Sequence, residues 1–482
     1  MRRPTLKILV AVAGPLVVSG CASSGMTAAV SDPAAGFSTV QARTSGAIGK
    51  QAVWAQSQAE TKSLAERIRN LVYKKTIGAD TAVQVALLNN RGLQAAYAEV
   101  GLSAADVWQE TMPVNPTASV SYSSIGIGRI IETAITSNIL AMMTRSRRVG
   151  IADARFRQAQ LNAAQETLRV AADTRRAWIN AVAAWETVSY LNRSQVAADA
   201  ASDLAQKLGE TGAFSKTGQA REHVFNAELT GETAKARLNA RLAKEELTRL
   251  MGLWGQDVDY SVPNALPALP KGPKNKSGIE AEALRNRIDL DVAKLELEAT
   301  AKSYGLTNAT RYVTDLQLMG GVEVEQEEEE GDKKDVVSGA AELEFSIPIF
   351  DTGQARMRKA ELTYVRVANL LAEKAVNVRS ETRSAYQAYR STYDIARHYR
   401  NSVLPLRAKI EEESILTYNG MITNTFELLA DTRARITSNI LSLNAKREFY
   451  LAEVNLGTAI YGGGSESGGG ETEVAAAEAD EE

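Results

Sequence analysis

Proline all but vanishes from two long stretches of this chain, and that feature constrains the fold more than any other. After Pro113 and Pro116 none occurs until Pro263, and beyond Pro273 only Pro348 and Pro405 remain. The intervening sequence is rich in Ala, Leu, Glu, Arg and Gln. A proline inside a helix removes a hydrogen bond and clashes with the preceding turn, whereas these residues lose little by becoming helical. Long helices are therefore expected. A straight helix from Ile151 to Leu208 would run roughly 85 Å, and one from Gln354 to Tyr418 roughly 95 Å, at 1.5 Å per residue. Ordinary globular helices are far shorter, so helices packed side by side as in a coiled coil are implied. Leu429, Ile436, Leu443 and Tyr450 recur every seven residues, as do Leu161 and Leu168, and Trp178 and Trp185.

The four prolines of PNALPALPKGP (263–273) read as a linker, and the sequence on either side of it repeats. LLNNRGLQAA (87–96) resembles LRNRIDLDVA (284–293), with Leu93 on Leu290. Further on, GETGAFSKT (209–217) lies over TYNGMITNT (417–425), with Gly212 on Gly420 and Ser215 on Thr423. The same landmarks in the same order indicate an internal duplication. The chain thus divides into a first repeat at 80–262, a linker at 263–277 and a second repeat at 278–461. Each repeat holds a helix, a strand pair and a long helical hairpin. Residues 21–79 precede them, and the acidic, glycine-rich stretch 462–482 reads as a disordered tail.

Within each copy the periodicity changes in one order. Residues 81–110 are helical in pattern, with Asp80-Thr81 as the expected N-cap. In TASVSYSS (117–124), Ala118, Val120 and Tyr122 alternate with serines, which is a strand with two different faces. A turn at Gly126-Ile127-Gly128 leads to a weaker strand near 131–143, and helix returns from about Ile151. In the second copy Leu316, Leu318, Val322 and Val324 share one face, with Asp315, Gln317, Glu323 and Glu325 opposite. After an acidic insertion, EQEEEEGDKKD (325–335), Val337, Ala341, Leu343, Phe345, Ile347 and Ile349 share a face opposed by Glu342, Glu344 and Ser346. An aliphatic face backed by a carboxylate face fits a transmembrane barrel, apolar toward lipid and polar toward a wet lumen. A soluble hairpin resting one face on a core remains the alternative. Four strands are too few to close a barrel, for which about eight are needed, and lipid cannot satisfy an open edge. Strands in a membrane would thus require several chains.

The N-terminus carries Arg2, Arg3 and Lys7, then a short apolar run, then Val18-Ser19-Gly20-Cys21. This resembles a bacterial lipoprotein signal, with residues 1–20 removed and Cys21, the only cysteine, acylated. Ala22 follows the cysteine where inner-membrane lipoproteins often carry aspartate, which by resemblance points to the outer membrane. No stretch of 18 or more uncharged apolar residues follows, so a transmembrane helix is not expected. A net charge of −3 gives no reason to expect a nucleic-acid partner. Two separated histidines and one cysteine make no metal site, and neither a phosphate-binding loop nor a nucleophile elbow occurs. An enzyme, a metal centre or a cofactor other than the lipid on Cys21 is not expected.

The segment FSIPIFDTGQARMRKAEL (345–362) passes from strand to long helix without an intervening loop. It resembles the strand-to-helix junction of the TolC-like outer membrane efflux proteins. Pro348, Phe350, Asp351 and Gly353 match that pattern and Thr352 departs from it. The resemblance implies a mainly α fold with a small membrane β-barrel. In it a homotrimer would pool four strands per protomer above a helical tunnel. It implies an outer membrane exit duct, lipid-anchored with a long periplasmic extension. Such a duct passively conducts small molecules or metal ions delivered by an inner-membrane pump and a periplasmic adaptor protein. Gly212, Ser215, Gly420 and Thr423 would then form the periplasmic tip where an adaptor docks. The aspartates that the family tends to place beyond the second tip glycine are replaced here by Phe426 and Leu429, so its ionic gate does not carry over. Tyr418, Asp431 and Arg433 are the gate candidates, and Glu323, Glu325, Glu342 and Glu344 the acidic groups expected to face the lumen. The exit duct of a type I protein secretion system shares this architecture, and a lipid-anchored periplasmic coiled-coil scaffold is the reading from another class.

Overall fold

A computed structural model describes residues 24–125, 128–212, 214–275, 277–329, 332–419 and 425–464. Three helices open it: α1 (Ser24–Val30), α2 (Phe37–Ile48) and α3 (Gln58–Val72). Then come α4 (Ala79–Asn89), α5 (Arg91–Thr111), β1 (Thr117–Ile125), β2 (Gly128–Asn138), α6 (Ile139–Glu210) and α7 (Lys216–Leu250). After the linker the order recurs as α8 (Ile279–Asn286), α9 (Ile288–Ala309), β3 (Leu316–Glu329), β4 (Asp332–Phe345), α10 (Gln354–His398), α11 (Leu404–Asn419) and α12 (Thr425–Tyr461). Two helices, two strands and long helices thus occur on each side of the linker. Leu93 and Leu290 hold equivalent positions in the first turns of α5 and α9.

Several boundaries differ from those expected. The helix foreseen over 81–110 is broken at Asn90, whose backbone leaves the helical region and whose side chain caps α5 by accepting from Leu93 N at 3.0 Å. Gly78, not Asp80, is the N-cap of α4. Asp80 instead pairs with Arg175 of α6 at 2.6 Å. The second strand ends at Asn138, whose side chain caps α6 through Ala141 N at 2.8 Å. Helix thus begins at Ile139 rather than near Ile151 and runs 72 residues, roughly 108 Å. Of the acidic insertion, residues 325–329 and 332–335 are not a loop between the strands. They extend β3 and β4, and the backbone register sets Glu327 opposite Lys334 and Glu328 opposite Lys333. The helix expected from Gln354 to Tyr418 is interrupted by a π-helical turn at Tyr399–Val403. Pro405 explains it. Without an N–H, and with its ring against the carbonyl four residues back, proline breaks the ordinary ladder just there.

The four strands form one antiparallel sheet in the order β1-β2-β3-β4. Helix α6 continues directly from β2, whereas β4 ends at Phe345, short of the expected Ile347 and Ile349, and residues 346–353 form an irregular link to α10 where a passage without a loop was expected. The main core lies where α2 to α5 pack on α6. Tyr97 is fully buried there, edge-on to Phe37 at 4.9 Å, with its hydroxyl 3.0 Å from Thr167 Oγ1. Trp178 donates its indole N–H to Ile77 O at 3.0 Å. A second core joins α10 and α12 around Phe449, between Tyr389 and Tyr393. Here the sevenfold spacing drifts: Ala445, Phe449, Ala452, Leu456 and Ile460 are buried, while Leu443 is only half-buried. The proline-rich linker is strapped over both repeats. Lys446 Nζ reaches Glu186 Oε1 at 3.1 Å and Leu266 O at 2.8 Å, and Glu186 Oε2 accepts from Leu266 N at 2.9 Å. Past Tyr461, Gly462 and Gly463 are buried, so the packed chain runs beyond the expected start of the tail at 462. Residues 465–482 lie outside the described residues.

Candidate conduit: the two-faced sheet and the helical hairpins

Register aligns the faces of all four strands. Tyr122 stands opposite Ile131, which stands opposite Val324, and Val324 opposite Val337. Two steps along, Val120, Thr133 and Val322 line up, then Ala118 and Ile135, and finally Leu318 with Leu343 and Leu316 with Phe345. Val120, Tyr122, Ile131, Ile135, Leu318, Val322, Val337, Leu343 and Phe345 are all exposed. Among the described residues no element covers this apolar face. The soluble-hairpin alternative requires a core beneath it, and none lies there among the described residues.

The opposite face is polar. Glu323 lies opposite Ser338 on one side and Glu132 on the other. Glu325 lies opposite Val336, Glu342 opposite Met319, and Glu344 opposite Gln317. All four expected carboxylates therefore share one face. Glu132 joins them and was missed, because alternation in β2 is blurred by Ile130 beside Ile131. Ser121 Oγ donates to Glu132 Oε2 at 2.8 Å, so the serine row of β1 lies on this side too.

At the foot of the sheet the junction motif has a physical reading. Asp351 Oδ1 accepts from Gly353 N at 2.7 Å, closing a turn on the aspartate side chain. Gly353 is left-handed (φ 74°) and buried, and a Cβ there would lie 2.9 Å from Arg311 O. Arg311 Nε donates to Thr352 O at 3.0 Å, locking the foot of β3 to the start of α10. Asp and Gly are thus required by geometry, whereas residue 352 contributes a backbone carbonyl. That is why Thr352 is tolerated.

At the far end α6 and α7 meet in a tight turn. Gly212 (φ 74°) ends α6 in the left-handed conformation, and Ser215 Oγ accepts from Gly218 N at 3.0 Å as the N-cap of α7. The glycine-then-hydroxyl spacing at this tip is thereby explained as helix stop and helix start. Gly420 and Thr423 lie outside the described residues, as does Cys21, and of Tyr418 only its place in the last turns of α11 is described. Asp431 and Arg433 do not act together. Asp431 accepts from Ser414 Oγ within the second hairpin. Arg433 reaches across to the first, pairing with Glu222 of α7 at 3.0 Å and lying over the Phe225 ring at 4.3 Å. Glu222, almost wholly buried, was not foreseen, since nothing in the local pattern marks it as different from other helix glutamates. Among the described residues no helix is long and apolar enough to cross a membrane.

No protein-family model matches the chain, and no curated protein matches it by sequence. Solved structures do. CusC, described for its conformational changes accompanying folding and transmembrane channel formation, is similar with a TM-score of 0.68 at 16% identity over 80% of this chain and 92% of its own. The outer-membrane channel OprN gives 0.68 at 17% identity over 87% and 95%. The CmeC outer membrane channel of Campylobacter jejuni gives 0.64 at 17% identity over 81% and 87%. The chain thus has the fold of the TolC-like outer membrane channels.

Proposed function

We propose that this protein is the outer membrane exit duct of a tripartite efflux pump. The observation that carries this reading is the sheet. Among the described residues its apolar and polar faces are both uncovered and its edges at β1 and β4 are unpaired, and β2 runs straight into the 72-residue α6. In water such a sheet would aggregate or slip in register. In a bilayer it is completed by like sheets from other protomers, with lipid outside and water within. Three copies give twelve strands, enough to close. The same threefold set of hairpins makes the tunnel, whose far ends meet a periplasmic adaptor and an inner-membrane pump. The duct does no chemistry of its own.

A lipid on Cys21 belongs to the same reading. What supports it is the path of α1: Thr27 Oγ1 donates to Thr111 Oγ1 at 3.3 Å, beside the foot of β1. Cys21 stands just before that helix in sequence. Two or more acyl chains there give stable anchoring. Loss of fatty-acid labelling in Cys21→Ala is the expected result, and persistent labelling would refute the assignment.

The duct reading is tested by intracellular accumulation of dyes, antibiotics and heavy-metal ions in a deletion strain and its complement. A rise for some compounds, reversed on complementation, is expected and names the cargo class. Unchanged accumulation for all of them, with a missing secreted protein in culture supernatants, would assign the duct to protein secretion instead.

A further inference from the structure

The end of α7 presents a feature that the conduit does not use. Trp254 is 81% exposed, yet the loop that bears it is tightly held. Gly252 (φ 66°) and Gly255 (φ 63°) bracket it in left-handed backbone. Asn89 Nδ2 donates to the carbonyls of Met251 at 3.0 Å and Gly252 at 2.6 Å, and Asn90 Nδ2 to that of Leu250 at 3.0 Å. A Cβ at residue 252 would sit 2.9 Å from Asn89 O, so the close approach needs glycine. A large indole kept in water on so fixed a loop is placed to meet something, since exposed tryptophans on rigid supports are characteristic of binding surfaces.

Beside it lies a cavity of about 510 Å³ between α3, the α4–α5 joint and this loop, within the roughly 300–1,000 Å³ usual for small-ligand sites. Part of its polar lining is already satisfied, Arg69 by Gln256 at 2.8 Å and Gln94 by Val53 O at 2.8 Å, and part is not. Gln58, Lys62 and Arg91 line it without a hydrogen-bond or ion-pair partner among the described residues. Asp257, also on its wall, has a buried Oδ1 with no hydrogen-bond partner. A flat indole beside exposed donors and an orphan acceptor matches a carbohydrate. The C–H face of a pyranose stacks on the ring, while hydroxyl and acetamido groups exchange hydrogen bonds with the wall. Lys62 and Arg91 further favour a glycan that carries carboxylates.

The position fits such a polymer. The backbone around the site is stitched to the stretch that receives Trp178 of α6, through Lys74 N to Asp259 O at 2.7 Å and Ile77 N to Ser261 O at 2.9 Å. Trp178 lies about 60 Å along α6 from the foot of the sheet at 1.5 Å per residue. On the exit-duct reading, that depth is in the periplasm, where the carboxylate-bearing glycan is the cell wall. We propose that the Trp254 cavity binds the glycan strands of peptidoglycan. The choice of this glycan rests on the exit-duct reading; the carbohydrate chemistry of the cavity does not.

The test is co-sedimentation of the full-length protein, purified in detergent, with isolated peptidoglycan sacculi. The wild-type chain is expected to pellet with sacculi, and soluble disaccharide-peptide fragments to compete. Trp254→Ala should lower the bound fraction at least fivefold, and Arg91→Gln should lower it less while flattening its salt dependence. Compound accumulation in cells should be the same for Trp254→Ala as for wild type. Absent sedimentation, or sedimentation unchanged in Trp254→Ala, overturns the proposal. So does a Trp254→Ala chain that loses its oligomeric state or its efflux, because the indole would then be a protein contact. Should the deletion strain accumulate nothing, the duct reading fails while sacculus binding can still be scored.

Discussion

Arg433 of α12 and Glu222 of α7 meet at 3.0 Å, and the carboxylate side chain is only 2% exposed. This pair ties the second helical hairpin to the first not far from the Gly212 turn. The guanidinium also donates to Arg221 O at 3.2 Å and stacks over Phe225. Removing one partner of a buried pair is costly, about 3–5 kcal/mol, because the other charge is left unpaired. Arg433→Ala, which strands the buried carboxylate, should therefore destabilise the hairpin contact more than Glu222→Gln, which leaves a half-exposed cation. If this contact restrains the tip, both variants should raise single-channel conductance in planar bilayers, Arg433→Ala more. Wild-type conductance in both would show that the tip is held elsewhere.

Leu318 and Leu343 are register partners on the apolar face, exposed in the single chain. An arginine facing lipid near the bilayer midplane costs about 2–4 kcal/mol in a transmembrane barrel. Leu318→Arg and Leu343→Arg should each sharply reduce SDS-resistant oligomer in outer membrane fractions. Glu342→Gln, beside Leu343 on the other face, should not. Equal oligomer yield in all three variants would contradict a lipid-facing surface.

How much of this was legible in the sequence depends on the range of the forces involved. Strand faces were read correctly because their period of two is local and β3 and β4 show it cleanly, whereas β2 hides Glu132 behind adjacent isoleucines. The long helices were legible from missing proline, but their ends were not: Asn90 and Asn138 act as caps, and asparagine is equally at home in a turn. The one proline within a helix, Pro405, marked the π-helical turn, yet its effect falls on the preceding residues. Glu222 could not be found at all, since its burial comes from Phe225 and from a helix some 210 positions later. Phe449 was passed over for the heptad series because straight helices drift away from a period of seven, so the buried stripe moves off it.

Tyr97 supplies a pH dependence. Burial pushes its hydroxyl up from 10.0 to about 12, more than the hydrogen bond to Thr167 lowers it. The folded state keeps the proton where the unfolded chain has already released it. Stability from this group is therefore whole below pH 10 and is lost as pH rises from about 10 to about 12. Thermal melts across pH 9 to about 12 should show a steeper decline for wild type than for Tyr97→Phe, which cannot ionise. Parallel declines would mean that another tyrosine, such as Tyr260, also raised by burial to about 12, sets the alkaline limit.

Glu132 and Glu323 face each other directly across β2 and β3, with Ser121 hydrogen-bonded to Glu132. Like charges opposite each other in a ladder are unfavourable, by about 0.2–1 kcal/mol for an exposed pair. A stabilising purpose is thus a poor account of the pair. Field strength is a better one: repeated around a closed barrel, these groups with Glu325, Glu342 and Glu344 would attract cations and repel anions along the lumen wall. Glu132→Gln with Glu323→Gln should then move the reversal potential in a potassium chloride gradient toward zero, most at low salt where screening is weak. The same double variant should melt slightly higher than wild type. A raised melting temperature with an unaltered reversal potential would leave the pair as electrostatic strain without a role in selection. A lowered melting temperature would mean that the two carboxylates hold a cation between the strands.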